Sequence, residues 1–351
     1  MPNPPPWCFY AWGENELAGE ARSLGHDVDT ALDYVSDHDW LGSLVPTPTW
    51  TVLSALATLG SVDLSVARAI EPHLDAKTIL FQAQHDPHQI SVQPRSGSTW
   101  GVYAANPAGT SAVATQTDEG DWTLSGLKLW CSLADRLSDA LITAPTEDGT
   151  QRLFAVSLTD PSIEVHLSQW NARGLRDIST GSIQFQRTPA VPIGPPGWYL
   201  NRPGFSWGGI AVSAIWFGGA AAIAGALWKS AEHRAPDQIA LMHLGTCDRL
   251  LHSALLCLRE AAAVMDADGT DAARMSVLAA RTRAHVAAVV ESVIETVGHA
   301  LGAAPLAFDE DHVRRVCDLT LYVRQHHAER DLARLGGLVL PTDCSQHSRG
   351  S

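Results

Sequence analysis

Residues 121–144 read DWTLSGLKLWCSLADRLSDALITA, and this stretch decides how the rest of the chain is read. It follows a turn at Asp118-Glu119-Gly120-Asp121. Trp122 and Leu124, then Leu127 and Leu129, alternate with Thr123, Ser125 and Lys128, the period-two pattern of half-buried strands. Gly126 interrupts the run, so the pattern predicts two strands joined by a tight turn. A fresh apolar strand is expected over residues 140–144. At the strand end Trp130 is followed two residues later by Ser132. An indole offers a planar ring a face to lie against, and a hydroxyl can donate one hydrogen bond to that ring's edge. The alternative is a core Trp at a sheet edge with a turn serine.

The chain has 351 residues, more than one core ordinarily serves, so roughly two or three domains are expected. A formal net charge of -14 argues against a nucleic-acid partner, because phosphate binding needs clustered Lys and Arg. The cysteines Cys8, Cys131, Cys247, Cys257, Cys317 and Cys344 are scattered, with no Cys-x-x-Cys pair and no zinc-ligand spacing. They read as reduced, mostly buried thiols of a cytoplasmic protein, with no metal site. The N-terminal MPNPPPW lacks the basic region and apolar core of an export signal. Residues 203–228 carry no charge and have the length of a membrane span. They are rich in Gly and Ala and lack cationic flanks, so a central bundle helix is expected there and no membrane span.

The fold class is read as α+β. Residues 1–90 form an N-terminal helical domain, with helices over 15–24, 27–35 and 50–59. Another starts at Ser61 or Asp63, meets a breaker or kink at Pro72, and continues to 84. Residues 91–198 form a middle β domain, a small barrel or sandwich. Its strands are expected at 100–104, 113–117, 122–130, 140–144, 153–157, 163–167 and 181–185. Residues 199–340 form a C-terminal four-helix bundle, with helices over 204–232, 236 or 240 to 265, 271–300 and 312–335. Gly336-Gly337 should cap the last helix, and His312, Arg314 and Arg315 should lie at its exposed start. Residues 341–351 are a loose tail.

This domain order resembles that of the acyl-CoA dehydrogenase family, and individual residues strengthen the resemblance. Gly126-Leu-Lys128-Leu-Trp130-Cys-Ser132, followed by Ala134-Asp135, resembles the family's Gly-x-Lys-x-Trp-Ile-Thr core and its Ala-Asp. Tyr103-Ala-Ala-Asn106-Pro107-Ala-Gly109-Thr110-Ser111 resembles its Thr-Glu-Pro-x-Ala-Gly-Ser loop. Residues 171–185 with Val191-Pro192 resemble its Gly-x-Arg-x-Thr…Phe…Val-Pro segment. Arg234 takes the Arg-x-x-Phe position, and Gly298-His-Ala-Leu-Gly302 loosely echoes Gly-Gly-x-Gly. The resemblance implies an FAD-dependent oxidoreductase that carries out α,β-dehydrogenation of acyl-CoA or another acyl thioester. It implies a homodimer or homotetramer with an electron-transfer partner. It places Trp130 against the flavin ring and the Ser132 hydroxyl near the ring's N5 and O4. It assigns Tyr103, Asn106, Gly109, Thr110 and Ser111 to the flavin and substrate mouth. Arg234, Gly298 and Gly302 would meet the cofactor's phosphate end.

One family feature is missing, the catalytic Glu that removes the α-proton. Counting from Gly302 and the Arg314-Arg315 pair, its place falls on Arg324-Gln325-His326, and the family's alternative place falls near Trp207-Gly208-Gly209. Neither holds a carboxylate. This leaves three readings: a dehydrogenase whose base is relocated to His326, His327 or Glu329; a flavin-dependent monooxygenase on the same scaffold; or a non-catalytic subunit of a mixed flavoprotein oligomer.

Overall fold

The computed structural model describes residues 20, 23–38, 48–84, 92, 94–105, 112–167, 170–202, 204–267 and 271–340. Two compact units emerge, one made of residues 20–47 and 65–205, the other of 1–19, 48–64 and 206–351. The expected helix at 15–24, the loop carrying Asn106, Gly109, Thr110 and Ser111, and the tail 341–351 lie wholly or mostly outside the described residues.

In the first unit, helix α1 (Val28–Asp37) starts where the Asp27 carboxylate accepts the Thr30 N–H at 2.7 Å. Helix α2 (Thr49–Val62) belongs to the second unit, and α3 (Leu64–Gln84) runs through Pro72 unbroken. The strands are β1 (Trp100–Tyr103), β2 (Val113–Gln116), β3 (Trp122–Ser132), β4 (Asp139–Pro145), β5 (Gln151–Ser157), β6 (Ile163–His166) and β7 (Thr180–Ile193). Their order is β1-β4-β5-β7-β3-β2, with β6 also on β7. Among the described strand pairs, β1 and β4 are parallel and the others antiparallel. A bridge from Ala114 in β2 to Thr146, just past β4, curls the sheet toward the closure of a small barrel. The C-terminal half of α3 lays Ala76, Ile79, Leu80 and Ala83 on Trp100, Leu141, Leu153 and Ile193 to make the core. The expected turn at Gly126 is not formed. Its φ of 112° lets the backbone absorb an irregularity, and β3 continues through it as one strand of 11 residues.

After the short helix α4 (Trp198–Asn201), the second unit holds α5 (Gly204–His233), α6 (Gln238–Asp266), α7 (Ala272–Leu301), α8 (Ala303–Phe308), α9 (Glu310–Tyr322) and α10 (Glu329–Val339). Helix α5 is long and apolar enough to cross a membrane, but 83% of its apolar stretch is buried inside the protein. Its small residues serve close packing. A Cβ on Gly218 would come within 1.9 Å of the Ala57 carbonyl oxygen, and one on Gly60 within 2.3 Å of that of Ile215. Helices α2 and α5 therefore touch backbone to backbone.

The expected last bundle helix is divided. Helix α9 ends at Tyr322, a 3-10 turn covers Val323–Gln325, and α10 begins only at Glu329 after Ala328 with φ 44°. Gly336 and Gly337 lie inside α10 and do not cap it. Nor is the start of α9 an exposed edge. His312 is buried, and Arg314 meets the buried Asp63 carboxylate at 2.9 Å, which anchors α9 to the end of α2.

Gly218→Ala should destabilise the protein by about 3 kcal/mol, because the obstructing atom is backbone and cannot rotate away. Urea unfolding followed by circular dichroism measures this; an unchanged midpoint would mean that α2 and α5 do not touch.

Candidate functional site

The feature that shapes the β unit's end is a bulge. Leu129 pairs with Ser182 and Cys131 with Gly181, so Trp130 has no partner on β7. It takes φ 62°, a left-handed conformation that costs a non-glycine residue roughly 1–3 kcal/mol. The bulge turns its indole outward, 59% exposed, while Lys128 and Cys131 on either side are buried. Trp130 is not a core tryptophan.

Beyond it, Ser132 is held from two sides. Its hydroxyl lies 3.0 Å from Thr180 Oγ1, and its carbonyl accepts the Tyr103 hydroxyl at 2.9 Å. Thr180 donates to the Ile178 carbonyl at 3.2 Å, which makes Ser132 the donor to Thr180. Tyr103 is buried, and burial followed by the neighbouring Cys131 pushes its phenol well above the ordinary range. It stays a neutral donor at Ser132's back. Thr180 carries no mark in the sequence, because its partner is 48 residues away.

On the buried face, Lys128 Nζ donates to the Thr143 carbonyl at 2.6 Å, stitching β3 to β4. Burial pushes its pKa down to about 8 and pushes the Cys131 thiol up to about 12. That thiol is protonated and unreactive at neutral pH.

In the helical unit, Arg234 ends α5 in an exposed position on a cleft of about 250 Å³. Asp237, His243, His299 and Leu301 also line it. Gly302, at φ 66°, closes α7 with its N–H on the Gly298 carbonyl at 2.9 Å. Arg234 and the last turn of α7, through His299, Ala300 and Leu301, thus border one cleft, which Gly298 and Gly302 do not line. The Asp237 carboxylate is engaged as the α6 cap, accepting from Ala240 at 2.9 Å.

The three proposed bases differ sharply. His327 and Glu329 are exposed, and His327 Nδ1 sits 3.7 Å from Asp331. His326 is buried, and its Nε2 has no hydrogen-bond partner, with Asp331 Oδ2 at 3.9 Å. Burial chiefly lowers its pKa; Asp331 opposes this, Arg283 adds to it, Glu291 opposes and His327 adds. The sequence reading missed Arg283. Its Nη1 donates to the Gly209 carbonyl at 2.9 Å and its Nη2 to the Gln325 carbonyl at 3.3 Å. The two segments searched for a carboxylate are neighbours in the bundle, and a guanidinium joins them. Arg324 is paired with Glu291. Among the described residues no three His, Cys, Asp or Glu gather as a metal site.

Two outcomes check this geometry. Trp130→Gly should leave stability within about 1 kcal/mol of wild type, since relief of the left-handed strain offsets glycine's entropy cost; a large loss in a thermal melt would mean that the indole is core. Lys128 titrates at about 8 when folded and near 10.4 when unfolded. The unfolded chain therefore binds more protons between those values, and the stability of wild type relative to Lys128→Met should rise with pH across that window. A flat difference would contradict the buried placement.

No protein-family model matches the sequence, and neither does any curated protein. Solved structures do. FMN-bound TdsC from Paenibacillus sp. A11-2 matches with a TM-score of 0.78 and 17% identity over 93% of this chain and 95% of that one. Nitrososynthase from Micromonospora carbonacea var. africana matches at 0.75 and 20% identity, covering 92% and 93%. Butyryl-CoA dehydrogenase from Megasphaera elsdenii matches at 0.75 and 18%, covering 95% and 96%. The chain has the α+β fold of these proteins, the acyl-CoA dehydrogenase fold.

Proposed function

We propose that this chain is a flavin-dependent monooxygenase that is supplied with reduced flavin. The observation that carries the reading is the make-up of the segments around Gly209 and Gln325. A guanidinium and a largely neutral imidazole stand there in place of a carboxylate. TdsC, on the same fold, is a dibenzothiophene monooxygenase.

The residues fit a flavin. Trp130 presents a flat apolar face to solvent, forced outward by the bulge, and an anchored hydroxyl follows at Ser132. Bound reduced flavin supplies two electrons and two protons, so that one oxygen atom of O2 enters an organic substrate and the other leaves as water. The chain's own residues bind and orient. Trp130 stacks on the ring, and the Ser132 hydroxyl, its proton given to Thr180 and its carbonyl held by Tyr103, offers the ring's edge an acceptor. His326, whose imidazole burial shifts toward the neutral form and whose Nε2 has no hydrogen-bond partner, takes up or returns one proton. Arg234 and the last turn of α7 meet phosphate. FMN is held by the TdsC structure and by that of KijD3, which matches at a TM-score of 0.76 and 19% identity over 92% of this chain and 90% of that one and also holds a dTDP-linked amino sugar. FMN is therefore the proposed flavin here, with FAD, implied by the sequence resemblance, as the alternative. We place the working form as a homo-oligomer.

A second reading rests on the same imidazole. A buried histidine with a vacant Nε2 can serve as the base for α,β-dehydrogenation of an acyl thioester.

The test feeds reduced FMN from an NADH-driven reductase and offers aromatic heterocycles and nucleotide-linked amino sugars under 18O2. One labelled oxygen in a product supports the monooxygenase. Anaerobic bleaching of bound flavin by an acyl-CoA would support the dehydrogenase. In either reaction His326→Gln should lower kcat about 100-fold; full activity would remove His326 from the chemistry.

A further inference from the structure

Arg283 sits half-buried on α7, with its guanidinium 4.7 Å from the centre of the Trp216 ring. Trp216 in turn meets Tyr322, the last residue of α9, edge-on at 6.3 Å. A planar guanidinium can stack and donate to two acceptors in fixed directions at once, which an ammonium cannot. Here its two acceptors come from different places, the Gly209 carbonyl in α5 and the Gln325 carbonyl at the end of the 3-10 turn. The contact at position 209 is close. A Cβ there would lie 3.2 Å from Arg283 Cδ.

The Gln325 carbonyl and the His326 N–H belong to one rigid peptide plane. That plane is held at both ends, by Arg283 on the oxygen and by the Val323 carbonyl, 2.9 Å from the His326 nitrogen. The backbone that carries the His326 imidazole is therefore set by Arg283. The charged groups that bear on the ring are Asp331 at the start of α10, His327 beside it, and Arg283 and Glu291 on α7. Glu291 is paired with Arg324, and Asp331 also accepts the His327 N–H at 3.0 Å.

We propose that Arg283 is the positioning residue for His326, fixing its peptide plane through Gln325 and setting the charge around its imidazole. The inference rests on the reading of His326 as the proton-handling group. Its own content is a link between two side chains, and that link can be measured without turnover.

The experiment follows the His326 ring proton by NMR against pH, with the signal assigned by its absence in His326→Gln. It compares the full-length wild type with Arg283→Gln and Arg283→Lys, after circular dichroism has shown that each is folded. Arg283→Gln removes a nearby cation, so the His326 midpoint should rise by about half a pH unit or more. Arg283→Lys keeps the charge and loses the fork. Its midpoint should stay near wild type, while the His326 amide exchanges with deuterium about tenfold faster or more, a loosening of about 1.4 kcal/mol. An unmoved midpoint in Arg283→Gln would overturn the proposal. If that variant does not fold, unchanged amide exchange in Arg283→Lys would overturn it. A shifted titration in a protein without reduced-flavin activity would uphold the link and refute the functional reading. An unmoved titration in an active monooxygenase would do the reverse.

Discussion

One extra residue in a β-ladder sets the character of the β unit. In a regular strand, side chains three apart face opposite ways. Lys128 and Cys131 are three apart, and both are buried. They can share a face only because Trp130 is inserted between them without a partner on β7. The inserted residue must leave the ladder, and it does so in a left-handed conformation with its indole in solvent. A strand that spends strain to expose its largest side chain is poorly explained by folding alone. The buried Lys128 and the Tyr103 hydroxyl bond to Ser132 hold the strand end against relaxation.

The helical unit rests on a different constraint, backbone contact between α2 and α5 at Gly60 and Gly218. Small residues let α5 run through the bundle interior, and one of them, Gly209, leaves room for Arg283. The electrostatic outcome is opposite in sign to that of a carboxylate base. A cation joins the two segments, and the nearest buried titratable ring, His326, is held largely unprotonated by burial and by that cation. A site of this make-up favours chemistry in which one proton is lent and returned over chemistry that needs a standing anionic base.

Much of this was legible in the sequence. The β-strands were found to within a few residues at their starts, because alternation and turn residues are local signals. Trp130 and Ser132 stood out as a ring face beside a hydroxyl. What period counting could not see was the bulge. Alternation marks Lys128 as an outward polar residue, yet it is 2% exposed. Gly126 was read as a turn, because a glycine inside a strand and a glycine between strands look alike until the partner strand is known. Strand β7 also runs well past the expected end at 185, to Ile193, with Pro189 and Pro192 inside it. The interruption at 323–328 was hidden because no Gly or Pro marks it. Arg283 was invisible for a deeper reason. Its acceptors are main-chain carbonyls 74 and 42 residues away, and no side-chain pattern encodes them.

The central claim is that the outward indole is a platform for flavin. Titration of the purified protein with oxidised FMN, followed by quenching of flavin fluorescence, tests it most directly when wild type is set beside Trp130→Ala. The expected result is saturable binding by wild type and at least about tenfold weaker binding by the variant, with both equally folded, as the loss of one ring-stacking contact on an exposed site predicts. Equal binding by the two proteins, or none by either with FMN or FAD, would contradict it.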